Sequence, residues 1–226
     1  MLRHLLGADA TAETMLEAIA RDARETGDKT GRPVFGAAVM EAMRTVPRAA
    51  FVPETEKPFA YENRPLPIGH SQTISQPFVV ALMSELLDVE PGARILEVGT
   101  GCGYQTAVLS ALGATVYSVE VVEPLATAAA ARLEALGYAR ATVRAGDGHA
   151  GWPEEAPFDG VIVTAAAPSI PPALVAQLKP GGCLVIPVGR AAKTQHLQRI
   201  ERRADGSSEA KTVLPVAFVP LTRGQA

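Results

Sequence analysis

The residues best placed to do chemistry form an alternating glycine run, Gly99-Thr100-Gly101-Cys102-Gly103-Tyr104, directly after the apolar stretch at 94–98. Glycine lets a backbone turn sharply and approach a ligand closely. A helix opening behind such a turn offers free N–H groups to a nucleotide cofactor. The spacing is G-x-G-x-G, preceded by Glu97-Val98, not the G-x-G-x-x-G of a dinucleotide fingerprint. Alone, a turn of this kind is more often a tight connection than a site. Glu120 closes the next apolar stretch, where a carboxylate can accept hydrogen bonds from both hydroxyls of a ribose. Asp147-Gly148 closes the third, placed to meet an adenine amino group, and 178–182 (Leu-Lys-Pro-Gly-Gly) turns a helix into a further strand. Each has a bland reading as a strand end, a turn or a helix stop. All four in this order are far less often accidental.

Other chemistry is poorly represented. His4, His70, His149 and His196 are scattered with no HExxH or paired spacing, so no catalytic metal is expected. Cys102 and Cys183 form no CxxC pair and read as free thiols of a reducing compartment. The net charge of −3 argues against an unaided nucleic-acid binder. The opening apolar stretch is too short for a signal peptide, and no run of about 18 apolar residues exists to span a membrane. A cytoplasmic protein is the expectation.

The elements that must position these residues follow from length and periodicity. A chain of 226 residues, 47% apolar and 20% charged, suits one α/β domain with an N-terminal extension. The boundaries predicted are 1–77 for N-terminal helices and a covering segment, and 78–226 for the core. Met15, Leu16, Ile19 and Ala23 mark an amphipathic helix over 11–26, stopped by Gly27 and Gly31. A second helix is predicted over 33–45, with Pro33 near its start. Five prolines between 47 and 67 announce an irregular region, a length that in a compact domain usually covers a site. Pro77 opens another helix. Strands at 94–99, 115–120, 142–147, 158–165 and 183–189 then alternate with helices at 103–112, 123–136 and 171–178. Strands apolar on nearly every residue belong to a parallel sheet covered on both faces. The final segments, around 196–202 and 212–221, flank a polar turn at Asp205-Gly206 and read as an antiparallel pair.

Together, the glycine run, Glu120, Asp147-Gly148 and the 178–182 turn resemble the Rossmann-like fold of S-adenosylmethionine-dependent methyltransferases. Thr164-Ala165-Ala166-Ala167-Pro168 stands where enzymes that methylate base amines often carry an Asn/Asp-Pro-Pro-aromatic motif. A more specific resemblance lies upstream. Ile68-Gly69-His70-Ser71-Gln72-Thr73-Ile74-Ser75-Gln76-Pro77 closely resembles the signature of the protein-L-isoaspartate (D-aspartate) O-methyltransferase family. The segments 43–53, 61–67, 97–106 and 219–222 are similar to other stretches of that family, in collinear order from about residue 33 to 222. Ser71 stands where many members carry glycine.

The resemblance implies transfer of a methyl group from S-adenosyl-L-methionine to the free carboxylate of L-isoaspartyl residues, and more weakly D-aspartyl residues, in damaged proteins. The ester then cyclises unaided to a succinimide, whose hydrolysis restores part of the aspartate. It implies Ser75 as the active-site residue, donating a hydrogen bond to the substrate carboxylate. Gln72, Thr73 and Ile74 line the same strip, and Thr222 matches a position near cofactor and substrate. The cofactor set is completed by Glu97, Gly99, Thr100, Gly101, Gly103, Tyr104, Glu120, Asp147 and Gly148. Spacing alone favours a helix-start role for Ser75 and a turn or surface role for His70. The chemistry is self-consistent: a carboxylate with a pKa of roughly 4 is ionised at neutral pH and needs no general base. The protein need only align the groups and exclude water. The 53–77 region is expected to close over the cofactor with substrate, by backbone contacts that tolerate many flanking sequences. Expected partners are isoaspartyl proteins and peptides, with no nucleic acid, no membrane and a monomeric chain. Rival readings are a methyltransferase for another carboxylate, a non-catalytic cofactor-binding adaptor and, more distantly, a nicotinamide oxidoreductase.

Overall fold

In the computed structural model, residues 10–190 and 193–223 are described; His4 and the apolar opening of the chain lie outside them. The first helix, α1 (Ala12–Thr30), starts from a reciprocal capping box between Thr11 and Thr14 and buries Met15, Leu16, Ile19 and Ala23. It runs past the expected stop at Gly27. That glycine stays helical on the buried face, where a Cβ would sit 2.7 Å from the Pro33 Cβ. The helix ends at Gly31, whose φ of 69° is the left-handed cap. Pro33 is therefore a packing surface for α1 and not the start of the next helix. That helix, α2 (Ala37–Thr45), begins four residues later, behind Gly36, whose N–H donates to Glu85 Oε2 at 2.9 Å.

The proline-rich region is ordered by short turns. Residues Arg48–Phe51 and Glu54–Phe59 form two 3-10 turns, and β1 (Leu66–Gly69) pairs antiparallel with β2 (Gln72–Ile74). His70 and Ser71 at the hairpin tip have φ of 51° and 56°. A two-residue turn with both residues left-handed matches the twist of a hairpin but strains a side chain, by roughly 1–2 kcal/mol per non-glycine residue. Ser71 thus carries strain that a glycine would relieve. Next comes α3 (Pro77–Leu87), buried on nearly all sides. Its proline sits in the first turn, where a missing N–H costs nothing.

The remaining chain alternates: β3 (Arg94–Val98), α4 (Tyr104–Ala111), β4 (Thr115–Glu120), α5 (Glu123–Ala135), β5 (Ala141–Ala145), β6 (Phe158–Val163), α6 (Pro172–Ala176) and β7 (Leu178–Val188). Two antiparallel strands, β8 (Gln195–Arg202) and β9 (Ser208–Val216), finish the sheet. The order is β5-β4-β3-β6-β7-β8-β9, with the first five strands parallel. The chain moves outward from β3 in one direction, then returns to start β6 on its other side. That reversal parts the loops at the carboxyl ends of the strands and opens a crevice. Two elements differ from expectation: the last strand runs over 208–216 and not around 212–221, and the 178–182 segment is no simple connection. The 178–182 turn is the first part of β7, bulged between Leu178 opposite Phe158 and Cys183 opposite Gly160. Gly182 fits there because a Cβ would come within 2.7 Å of the Asp159 carbonyl oxygen.

Candidate active site

A cavity of about 770 Å³, counting its open mouth, lies at the carboxyl ends of β3, β4 and β6. Its floor is the glycine turn. Gly99, Gly101 and Gly103 have φ of 95°, 55° and 90°, conformations that need glycine. Gly99 is held from both sides: its N–H donates to Val119 O at 2.8 Å, and its carbonyl accepts from Thr164 Oγ1 at 2.5 Å. A Cβ on Gly99 would collide with that same Thr164 hydroxyl.

One end of the cavity carries a carboxylate. Glu120 is 5% exposed, and its two oxygens accept from Gly101 N at 2.8 Å and Val122 N at 2.9 Å. Another wall is the hairpin strand β2 and Ser75, the residue that follows it. The Ser75 carbonyl accepts from Arg48 Nη2 at 2.8 Å, which fixes its main chain. A third wall is the C-terminal segment 219–222. It is bound to the end of β6 through Ala166 N to Val219 O and Leu221 N to Ala166 O, each 2.8 Å. Gly148 completes the wall near β5, and a Cβ there would strike Val98 Cγ1.

The fold therefore brings Ser75, Gln72, Thr73 and Ile74 to the same cavity as Gly99, Thr100 and Gly101. Tyr104, Glu120, Gly148 and Thr222 also line it. Three expected residues do not. Glu97 is fully buried because its side chain alternates away from that of Val98 and points under α4. Gly103 caps α4, and a Cβ on it would sit 3.3 Å from Leu133 of α5. The Asp147 carboxylate turns back to accept from His149 N at 2.9 Å. Sequence reasoning missed Val121 and Val122 beyond the acidic strand end, and Cys102 and Gln105. The signal for the first two was their position just after Glu120, where a ligand held by that carboxylate must lie against the chain.

Beneath the turn runs a buried polar chain. Thr100 Oγ1 and Ser118 Oγ are 2.6 Å apart, Ser118 donates to Glu97 Oε2 at 2.7 Å, and Thr106 donates to the same oxygen. Glu97 Oε1 has no partner. Burial pushes the Glu97 carboxyl up to about 7, against the hydrogen bonds from Thr106 and Ser118. A carboxyl whose pKa rises on folding holds a proton that the unfolded chain has lost. Its contribution is fully present below about 4.5 and disappears as pH climbs through about 7. At roughly 1.4 kcal/mol per unit, the loss is on the order of 3 kcal/mol. Glu97→Gln cannot ionise. Melting curves from pH 5 to pH 8.5 should show wild-type stability falling more steeply than that of the variant; parallel profiles would rule out a raised Glu97 pKa.

A parallel doubly wound sheet finished by an antiparallel pair, with a glycine turn after one strand and a carboxylate ending the next, defines the S-adenosylmethionine-dependent methyltransferase fold. The comparisons with known proteins are more specific. Residues 28–226 match the family described as protein-L-isoaspartate(D-aspartate) O-methyltransferase (PCMT), and the chain belongs to that family. A protein-L-isoaspartate O-methyltransferase of Polaromonas sp. is 54% identical over 208 residues, which are 92% of this chain and 99% of that protein. One from Anaeromyxobacter dehalogenans is 57% identical over 185 residues, 81% of this chain and 88% of its own. Among solved structures, a protein-L-isoaspartate O-methyltransferase superposes with a TM-score of 0.77 at 26% identity. The match covers 91% of this chain and 65% of that longer one. A Plasmodium falciparum protein described as the same enzyme, in complex with S-adenosyl-L-homocysteine, gives a TM-score of 0.79 at 24% identity. That match covers 96% of this chain and all of the other, and it bears on the fold.

Proposed function

We propose that this protein transfers a methyl group from S-adenosyl-L-methionine to the free carboxylate of L-isoaspartyl residues in damaged proteins, and to D-aspartyl residues less well. The observation that carries the reading is the meeting of Ser75 and its hairpin with the glycine turn and Glu120 around one cavity. The residues present fit the cofactor. Gly99 and Gly148 line the cavity and pack so closely on Thr164 and Val98 that only glycine fits there, and the Glu120 carboxylate offers two acceptor oxygens beside them. When bound, the cofactor supplies a methyl group already activated on a sulfonium.

The chain's own task is alignment and desolvation. Glu120 would hold the ribose hydroxyls, and Gly99, Thr100, Gly101 and Gly148 would line the space for the rest of the cofactor. Ser75 donates its hydroxyl to one oxygen of the substrate carboxylate and leaves the other to react. The β2 strip contributes backbone groups that hold a peptide without reading its side chains. No base is required, because the attacking group arrives ionised. Two buried free thiols, Cys102 and Cys183, support a reducing, cytoplasmic setting. No described helix is long and apolar enough to cross a membrane. We take the working unit to be one chain forming a single methyltransferase domain, which a solution mass measurement would check.

The decisive test is a methylation assay on paired peptides that differ only in an isoaspartyl or aspartyl linkage. Methyl incorporation into the first and not the second is the expected result. Equal labelling of both, or labelling of neither in the presence of bound cofactor, would overturn the reading.

A further inference from the structure

Arg48 is the largest fully buried side chain among the described residues, at 0% exposure. Its Nε donates to Ala60 O at 2.8 Å, and its Nη2 lies 2.8 Å from Ser75 O and 3.4 Å from Arg64 O. Its guanidinium carbon stands 4.8 Å from the ring centre of Tyr104, the first residue of α4. All these partners are uncharged. None of the ion pairs among the described residues includes Arg48, and its Nη1 is shielded without a partner. Neighbouring groups do not neutralise it. Burial pushes the Tyr104 hydroxyl up to about 12 and raises the Cys102 thiol, so both are neutral at physiological pH. An unpaired buried guanidinium is costly to the fold. It is kept in contact with two cavity-lining residues, Ser75 and Tyr104.

We infer that Arg48 is a positioning residue for methyl transfer: it locks the Ser75 main chain onto the cofactor helix, and its unbalanced positive charge draws the substrate carboxylate to that end of the cavity. The inference rests on the methyltransferase reading above. Its two parts separate kinetically. A carboxylate oxygen loses its negative charge as it takes a methyl group. A fixed positive charge therefore favours the bound carboxylate over the transition state, and its removal appears in KM for the peptide. Registration of Ser75 appears in kcat.

Arg48→Lys keeps the charge and loses the fork that spans three carbonyls. Arg48→Gln keeps a donor and loses the charge. With an isoaspartyl peptide as substrate, Arg48→Gln should raise peptide KM at least tenfold, with S-adenosylhomocysteine affinity changed less than threefold by calorimetry. Arg48→Lys should hold peptide KM within threefold and lower kcat about tenfold. In the double variant with Ser75→Ala, the kcat loss should be no greater than for Ser75→Ala alone, because Arg48 acts through that residue. Multiplying kcat losses, equal KM changes in both single variants, or a parallel loss of S-adenosylhomocysteine affinity would each overturn the inference. So would failure of Arg48→Lys to fold in saturating S-adenosylhomocysteine, which would leave Arg48 a support of the fold alone. Wild-type protein inactive on the isoaspartyl peptide would overturn the functional reading and this inference with it. An active wild type with independent losses overturns this inference alone.

Discussion

Gly99→Ala should weaken binding of S-adenosylhomocysteine roughly 30- to 150-fold while the protein stays folded. The backbone there has φ of 95°, which costs a non-glycine residue roughly 1–2 kcal/mol. The new methyl would also meet Thr164 Oγ1, the hydroxyl that holds the Gly99 carbonyl at 2.5 Å. Displacing it forfeits a buried hydrogen bond worth about 1 kcal/mol and moves the floor of the cavity. Together these reach about 2–3 kcal/mol; relieved when the empty turn relaxes and imposed again on binding, they amount to roughly 30- to 150-fold in a dissociation constant. Adding Thr164→Ala removes the obstructing oxygen and should recover about tenfold of the loss. Isothermal calorimetry on both variants checks this. Affinity within fivefold of wild type for Gly99→Ala alone would mean that the turn does not form the cofactor floor.

Ser75→Ala should lower kcat about a hundredfold on an isoaspartyl peptide and leave S-adenosylhomocysteine affinity within threefold. The Ser75 hydroxyl makes no hydrogen bond among the described residues, while its carbonyl is bound by Arg48. Removing the hydroxyl therefore leaves the main chain in place and costs only the contact to substrate. That contact sets which way a carboxylate oxygen faces, and misorientation of a reacting group is worth about 10² in rate. Ser75→Cys, a weaker donor of similar size, should fall between wild type and alanine. The wild-type rate should vary little with pH between about 6 and 8, since the substrate carboxylate titrates near 4. A Ser75→Ala enzyme with unchanged kcat would move the substrate away from this hairpin.

What the sequence showed and what it hid divide along local and nonlocal causes. The strands at 94, 115 and 158 were readable because a covered parallel sheet needs continuous apolar residues, and Glu120 was readable as the polar end of such a run. The reach of α1 was not. Gly27 looks like a stop until Pro33 is known to pack against it, where only glycine leaves room. The 47–67 region looked formless because a single side chain organises it. Arg48 collects carbonyls 12, 16 and 27 residues downstream, a pattern with no spacing signature. The same limit applies within the candidate site. Which oxygen Glu97 offers, and to whom, depends on strand alternation and on Ser118 across the sheet. Asp147 turns to the backbone two residues on, as aspartates in turns often do.

The leading helix also bears on where this enzyme begins as a physical unit. The family match starts at residue 28, near the end of α1. Yet Met15, Leu16 and Ile19 belong to the main core, and Asp22 Oδ2 accepts from Asn63, whose own oxygen holds the Phe78 N–H at 3.0 Å. Phe78 lies three residues past Ser75. A chain trimmed to the matched boundary would bare a greasy stripe and release the tether behind the signature segment. Recombinant versions should therefore start upstream of Thr11.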